Sequence, residues 1–260
     1  MSTAEIQGQL WGSEARDWAE IQEPVHTQLW GVMLDASGVG PETVVADLGC
    51  GGGGASMLAA ARGAAVYGLD AADPLVEIAR ERVPGGDFRV GDLEDLPFES
   101  DTFDVVFAAN SLQFAGDPVN AMAEMRRVCR ADGRVAIAVW GLPEHCDTRH
   151  LFSAVVDTLP EKPGGGGPFA LSMPGVLDDL MRQAGLTPTS EQVVPITMSF
   201  PDLDTGWRGT RSAGPLQGAI RTVGEERIRQ VVEDVLNQFV QPDGQISMEN
   251  EFKVVTAEAS

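Results

Sequence analysis

The residues best suited to chemistry in this chain are three aspartates, each next to the end of an apolar run. Asp47 precedes a glycine-rich stretch, Leu48-Gly49-Cys50-Gly51-Gly52-Gly53-Gly54; Asp70 closes the run Ala65–Leu69; Asp92 follows Phe88–Val90 and is flanked by Gly91 and Leu93. Glycines in such a turn let the backbone bend sharply and approach a ligand closely. The turn also feeds a helix N-terminus with free N–H groups. Gly49, Gly51 and Gly54 satisfy the spacing G-x-G-x-x-G, and Asp70 lies roughly 20 residues on, where a carboxylate can accept from both hydroxyls of a ribose. Asp47 would put negative charge beside a pyrophosphate, so it suits a ligand with a cationic end. Asp92 can accept from an exocyclic adenine amine, and Leu93 can supply apolar contact to the ring.

A second set of candidates lies further along. The chain has three histidines, His26, His145 and His150. A positioned histidine base contributes roughly 10²–10⁴-fold to a proton-transfer step. His145 and His150 fall just beyond the fifth apolar run, where a substrate pocket should open, and rank first as candidate bases. The group His145, Cys146, Asp147 and His150 matches no strong ligand spacing, so no metal is expected. Trp140, Phe169 and Trp207 are candidate aromatic walls of a substrate site, with Phe152 nearby; packing explains such residues equally well.

These residues need a scaffold, and the pattern supplies one. Thr43–Leu48, Ala65–Leu69, Phe88–Val90, Phe103–Ala109 and Gly133–Val139 read as strands. Ala55–Arg62, Pro74–Arg82 and Val119–Cys129 between them read as helices. This alternation predicts a parallel sheet covered by helices on both faces, with ligands at the carboxyl ends of the strands near the switch point. Beyond Trp140 the rhythm breaks. Leu142–Met173 carries prolines and the run Gly164–Gly167, a lid or loop signal. Helix follows at Pro174–Ala184, a strand at Val193–Phe200, largely helical sequence to Gln241 with its clearest helix at Glu225–Phe239, and a last strand at Phe252–Ala257. Ahead of the first strand, Ile6–Ala36 carries Trp11, Trp18 and Trp30 and is expected to form helices over the cofactor edge.

Bulk properties narrow the partners. The 260 residues, 43% hydrophobic, suit one α/β domain with insertions. A formal net charge of −21, with only Lys162 and Lys253 as lysines, repels nucleic acid and anionic membranes. Small molecules are the natural substrates. Cys50, Cys129 and Cys146 form no disulfide framework. No apolar run reaches the ~20 residues of a membrane span, and Met1–Ile21 lacks the pattern of a signal peptide. A cytoplasmic location is therefore expected. The oligomeric state is not encoded legibly.

Val44–Gly53 (VVADLGCGGG), Val66–Ala72 (VYGLDAA), Gly91–Gln113 (GDLEDLPFESDTFDVVFAANSLQ) and Arg126–Trp140 (RRVCRADGRVAIAVW) together resemble class I S-adenosylmethionine-dependent methyltransferases, most closely the UbiE-like group acting on small molecules. The resemblance is strong from about Thr43 to Trp140, continues more weakly over Pro168–Leu186, and then fades. It implies a Rossmann-like three-layer α/β sandwich with a mostly parallel seven-stranded sheet and an antiparallel last strand. It also implies roles. Asp47 and the backbone of Gly49, Cys50 and Gly51 would hold the methionine end. Asp70 would take the ribose with Ala71 beside the adenine, and Asp92 and Leu93 would read the adenine. Asn110 would sit by the reaction centre, and Trp18 would close over the cofactor. Many relatives carry histidine after the fourth strand, where this chain has Gln113 and Phe114.

The resulting expectation is one methyltransferase domain over 1–260, with a helical cover (1–40), a cofactor-binding core (41–140), and a lid, substrate-side insertions and final strands (141–260). It would move a methyl group to an O, N or C atom of a small, apolar or aromatic molecule. Two rivals remain at this level. A nicotinamide-dependent oxidoreductase shares the glycine turn and Asp70 but explains Asp47 and Asp92 poorly. A non-catalytic cofactor-binding protein would keep the donor site and lack an acceptor pocket.

Overall fold

A computed structural model describes residues 1–259 apart from 163, 165 and 166. Seven strands form one sheet in the order β3-β2-β1-β4-β5-β7-β6. They are β1 (Val44–Leu48), β2 (Ala65–Asp70), β3 (Asp87–Val90), β4 (Phe103–Ala109), β5 (Cys129–Trp140), β6 (Thr187–Phe200) and β7 (Ile246–Glu258). The first five pair in parallel, and β7 runs antiparallel to both β5 and β6. The expected mostly parallel sheet with an antiparallel last strand is therefore present. β6 and β7 are longer than the apolar runs that marked them. β6 begins in polar, exposed sequence (TPTSEQ) that pairing with β7 holds extended.

Alternation along β5 sorts the two faces. Val135, Ile137 and Val139 join one buried cluster, and Ala136, Ala138 and Trp140 join the other. The first cluster is covered by α6 (Pro118–Val128) and α8 (Val176–Gln183), through Met122, Met125, Leu177 and Met181. The second is covered by α3 (Thr27–Ser37), α4 (Gly54–Ala61), α5 (Asp73–Arg82) and α11 (Glu225–Leu236), through Leu29, Met33, Ala59, Ala79, Ile228 and Val232. This is the three-layer arrangement, with an apolar core on each side of the sheet.

The N-terminal cover is helical but broken. α1 (Thr3–Trp11) starts with a reciprocal capping box between Ser2 and Glu5. The short α2 (Ala15–Asp17) leads into a π-helical turn at Trp18–Gln22 and a 3₁₀ turn at Glu23–His26 before α3. Pro24 gives the reason for the break. It has no N–H to donate, and its ring excludes the carbonyl four residues back, so a regular α-helix cannot run through it. The expected lid at Leu142–Met173 is largely ordered secondary structure. Pro143–His145 is a 3₁₀ turn, Thr148–Val156 is α7, and Gly167–Phe169 is a 3₁₀ turn. The glycine run Gly164–Gly167 lies partly outside the described residues. α9 (Leu203–Arg211) and α10 (Gly214–Val223) complete the chain's helices and carry the contacts to the N-terminal cover. Arg208 and Arg211 pair with Asp17, and Arg211 also pairs with Glu14. Among the described residues, no helix is long and apolar enough to cross a membrane.

Candidate functional site

The glycine turn after β1 is the centre of the site. Gly49, Gly51 and Gly53 all have positive φ, at 76°, 54° and 81°, a region L-residues rarely occupy. A Cβ at Gly49 would collide with Ser111, and one at Gly51 would meet Glu23 Oε1 at 2.7 Å. The turn is tied to β2 by N–H donations from Gly49 and Cys50 to the Leu69 carbonyl, at 2.7 and 3.0 Å. Ser111 Oγ donates to the Leu48 carbonyl at 2.7 Å and so fixes the loop after β4 against the same turn.

Asp70, at the end of β2, accepts from the Gly51 N–H at 2.9 Å and from the Ala72 N–H at 2.8 Å. Burial raises its carboxyl above the usual range, opposed by the Ala72, Gly51 and Ala71 N–H groups. Each oxygen keeps lone-pair capacity for a further donor. Asp92 accepts from the Glu94 N–H at 3.0 Å. Asn110 occupies the left-handed region at φ 58°; its N–H donates to the Ala138 carbonyl at 2.8 Å, and its Oδ1 accepts from Gln113 Nε2. Asparagine tolerates this conformation better than most residues, and strained backbone of this kind clusters at functional positions.

A cavity of about 880 Å³, its open mouth included, lies over these strand ends. Its lining brings together Trp18, Gly49, Gly51, Asp70, Ala71, Asp92, Leu93 and Asn110. It does not include Asp47 or Cys50. Asp47 is only 1% exposed, and its Oδ2 accepts from Ser56 Oγ at 2.6 Å, beneath the start of α4. Burial raises its carboxyl to about 7, with Glu23 and Asp70 adding repulsion and Ser56 opposing the rise. The Cys50 thiol is buried under the turn, and its pKa is pushed well up by burial. Both residues thus support the turn from behind, through charge and backbone.

A second cavity of about 610 Å³ adjoins the first. Trp140 and Phe152 line it, with Leu151, Met198, Phe200, Leu216 and Met248. The other substrate-side candidates lie elsewhere. Phe169 packs against Trp140 and Phe152 from outside the lining, with ring centroids 5.7 and 5.9 Å away. Trp207 is 2% exposed in the core under α11. His145 is exposed and pairs with Glu251 at 2.8 Å, and His150 is exposed near Phe239. Neither histidine lines either of these two cavities. Among the described residues, no group of three His, Cys, Asp or Glu side chains is placed to hold a metal ion.

Two residues of the N-terminal cover hold positions that motif reading passed over. Glu23 is 3% exposed; it accepts from the Gly52 N–H at 2.6 Å and from Arg82 Nη1 at 2.5 Å. Arg82 in turn donates to the carbonyls of Gly52 and Ala19, so the cover is laced to the glycine turn. Burial pushes the Glu23 carboxyl up to about 7 against the pull of Arg82 and Gly52. His26, ranked below the other histidines on position alone, lines both cavities. The signal that could have found both was Glu23-Pro24: a proline in a helical segment marks a break, and breaks cluster at functional positions.

Residues 46–137 match the family described as Methyltransferase domain. That stretch runs from β1 to β5, so the methyltransferase-domain match falls on the parallel part of the sheet and on the glycine turn, Asp70, Asp92 and Asn110. The chain is similar to a demethylmenaquinone methyltransferase of Renibacterium salmoninarum, 33% identical over 122 residues, which are 47% of this chain and 52% of that protein. The chain spans about half the length of the curated relatives it matches. Among solved structures, the [4+2]-cyclase SpnF superposes with a TM-score of 0.58 at 18% identity, covering 89% of this chain and 80% of that one. A geranyl diphosphate methyltransferase in complex with S-adenosylmethionine gives a TM-score of 0.55 at 19% identity, covering 96% and 91%. At those identities the likeness is one of fold.

Proposed function

We propose that this chain transfers a methyl group from S-adenosylmethionine to a small, apolar or aromatic molecule. The observation that carries this reading is the shared wall of the two cavities: Trp11, Trp18, His26, Asn110 and Phe114 line both. One cavity suits a nucleoside with a cationic end, and the other, dominated by apolar side chains, suits a hydrophobic acceptor.

The donor set fits the cofactor. Asp70 keeps acceptor capacity for ribose hydroxyls, and Asp92 and Leu93, on the lining of the same cavity, would read the adenine edge and face. The carboxyl groups of Glu23, Asp47 and Asp70 surround the glycine turn, which supports a ligand bearing ammonium and sulfonium over one bearing a pyrophosphate. S-adenosylmethionine, when bound, supplies a methyl group already activated on sulfonium. The chain's own contribution is to hold donor and acceptor in line and to exclude water. Trp11 does the second with Trp18 and Phe114, its ring centroid 4.7 Å from Trp18 and 5.2 Å from Phe114. The relative acting on demethylmenaquinone supports an aromatic acceptor. A screen of small aromatic acceptors, read by release of S-adenosylhomocysteine, tests the reading. Binding of S-adenosylhomocysteine but not NAD by calorimetry is the expected first result; tight NAD binding without it would overturn the assignment.

A further inference from the structure

His26 differs from every other polar group at the wall between the cavities. It is 5% exposed, and its ring is enclosed by aromatics, with centroids 5.5 Å from Phe252, 6.1 Å from Trp30 and 6.3 Å from Trp18. Its Nδ1 lies 3.1 Å from the Gln22 carbonyl oxygen. A carbonyl oxygen can only accept, so Nδ1 carries the proton, and Nε2 of the neutral ring is left with a lone pair. That Nε2 has no hydrogen-bond partner among the described residues. A buried polar atom without a partner costs about 1–3 kcal/mol, and such atoms in folded proteins call for an explanation. Gln22, a residue of the acceptor-cavity lining, carries a second buried acceptor without a donor, its Oε1. Both orphan atoms are acceptors, and what they lack is a donor.

Resting on the methyl-transfer reading above, we propose that His26 is a catalytic base and that the acceptor is an aromatic hydroxyl compound whose O–H donates to His26 Nε2. The backbone break at Glu23-Pro24 sets the ring there, by turning the chain from the π-helical turn into α3 within one 3₁₀ turn. In the step, the acceptor oxygen attacks the methyl carbon. The new C–O bond forms as the C–S bond breaks, and the electron pair of that bond stays on sulfur, which becomes a neutral thioether. The hydroxyl proton passes to His26 Nε2, giving an imidazolium that releases it to solvent when the cavity opens. One positive charge is present before and after, moved from sulfonium to imidazolium, so the enclosed site never gains net charge. Burial keeps the ring neutral, its pKa lowered to about 4. A base that weak matches an acidic phenol-type hydroxyl better than an aliphatic alcohol. The methylated product has no proton to donate and loses its bond to Nε2, which favours release.

The test compares 1-naphthol with 1-methoxynaphthalene, a matched pair differing in the donor. Binding of each to the protein saturated with S-adenosylhomocysteine is measured by calorimetry, for wild type and for His26→Asn. Asparagine can still donate to the Gln22 carbonyl from near the Nδ1 position but has no atom where Nε2 stands. The expected result is at least tenfold tighter binding of naphthol in wild type, with the preference lost in His26→Asn while S-adenosylhomocysteine affinity stays within threefold. Turnover of 1-naphthol, read as S-adenosylhomocysteine released from S-adenosylmethionine, should fall at least 100-fold. Equal binding of the pair in wild type, a preference that survives in His26→Asn, or unchanged turnover would each overturn the proposal. His26→Gln, which restores a polar atom near Nε2, separates this role from packing: it should recover part of the naphthol preference and little of the turnover. Failure of the underlying methyl-transfer reading would show differently, as wild-type protein that does not bind S-adenosylhomocysteine at all.

Discussion

The two cavities share a wall but are made of different material. The one proposed for the cofactor joins the ends of consecutive strands, β1, β2, β3 and β4, to the N-terminal cover, and offers a ligand backbone turns and carboxylates. The adjoining one is assembled from the N-terminal cover, α7, β6, β7 and the start of α10, segments that run from Trp11 to Met248 along the chain, and its lining is largely aliphatic and aromatic. The first keeps its carboxylates and turn N–H groups on strand ends encoded close together in the chain, beneath an apolar cover that includes Trp11, Trp18, Leu29 and Trp30. The second is apolar, and its polar content is concentrated in a few side chains, among them His26, Gln22 and Asn110. Substitutions in the first should therefore weaken cofactor binding strongly, whereas those in the second should alter the acceptor and leave cofactor affinity nearly intact.

The largest expected effect is at Gly49. Gly49→Val forces a β-branched residue into φ 76° and drives its Cβ into Ser111. Calorimetry should show S-adenosylhomocysteine binding weakened by more than 100-fold, and circular dichroism a melting point several degrees lower. Asp70→Ala comes next. Hydrogen bonds to a charged group are worth about 1.5–3 kcal/mol each, so affinity should fall at least tenfold in a folded protein. Unchanged affinity would remove Asp70 from the ribose site.

A smaller, pH-dependent effect sharpens the role of the carboxylates behind the turn. Burial holds Glu23 and Asp47 protonated to about pH 7. A cationic ligand favours their ionised forms, so S-adenosylmethionine affinity should rise severalfold between pH 6 and 8 and be flat well above that. The stability of the ligand-free protein should run the other way. Carboxyls raised in the folded state bind protons that the unfolded chain has released, so their contribution is lost as pH climbs from about 4.5 to 7. His26, lowered to about 4, opposes this below pH 6.5, where its contribution grows with pH. Above 6.5 only the loss remains, and the melting point should drop toward pH 8. A melting point that climbs over that window would place the carboxyls at ordinary values. The smallest effect is at the exposed pair His145–Glu251. Half-exposed pairs contribute little, so His145→Ala should change turnover less than twofold, in contrast to His26→Asn. A large loss at His145 would erase the distinction between the histidine at the wall and the one on the surface.

The contrast between the cavities also explains what could be read from the sequence. The order of strands and helices from Thr43 to Trp140 was legible because buried parallel strands are short apolar runs punctuated by glycine turns. Gly49, Gly51, Asp70, Asp92 and Leu93 at strand ends stood out for the same reason, and Ala71 and Asn110 followed from the family resemblance; all seven line the cavity. Asp47 and Cys50 share that segment, yet alternation along the chain turns their side chains inward, a detail that spacing alone does not fix. The acceptor side was poorly legible. Its wall depends on which of many generic aromatics the tertiary packing turns inward, and proximity to Trp140 in sequence favoured His145 and His150 over His26. Phe169 and Trp207 were chosen as large apolar residues, and packing placed them behind the lining. The N-terminal cover was foreseen as helical over the cofactor edge; Pro24 marks its break in the sequence, whereas the tie of Glu23 to the turn and to Arg82 depends on contacts between distant residues.

The most direct test of the central claim is a crystal structure with S-adenosylhomocysteine bound. The account predicts the adenosine between Asp70, Asp92 and Leu93, and the sulfur at the shared wall, close to His26, Asn110 and Phe114, facing the apolar cavity. A sulfur turned to open solvent, with none of Trp11, Trp18, His26 or Phe114 in contact, would contradict it.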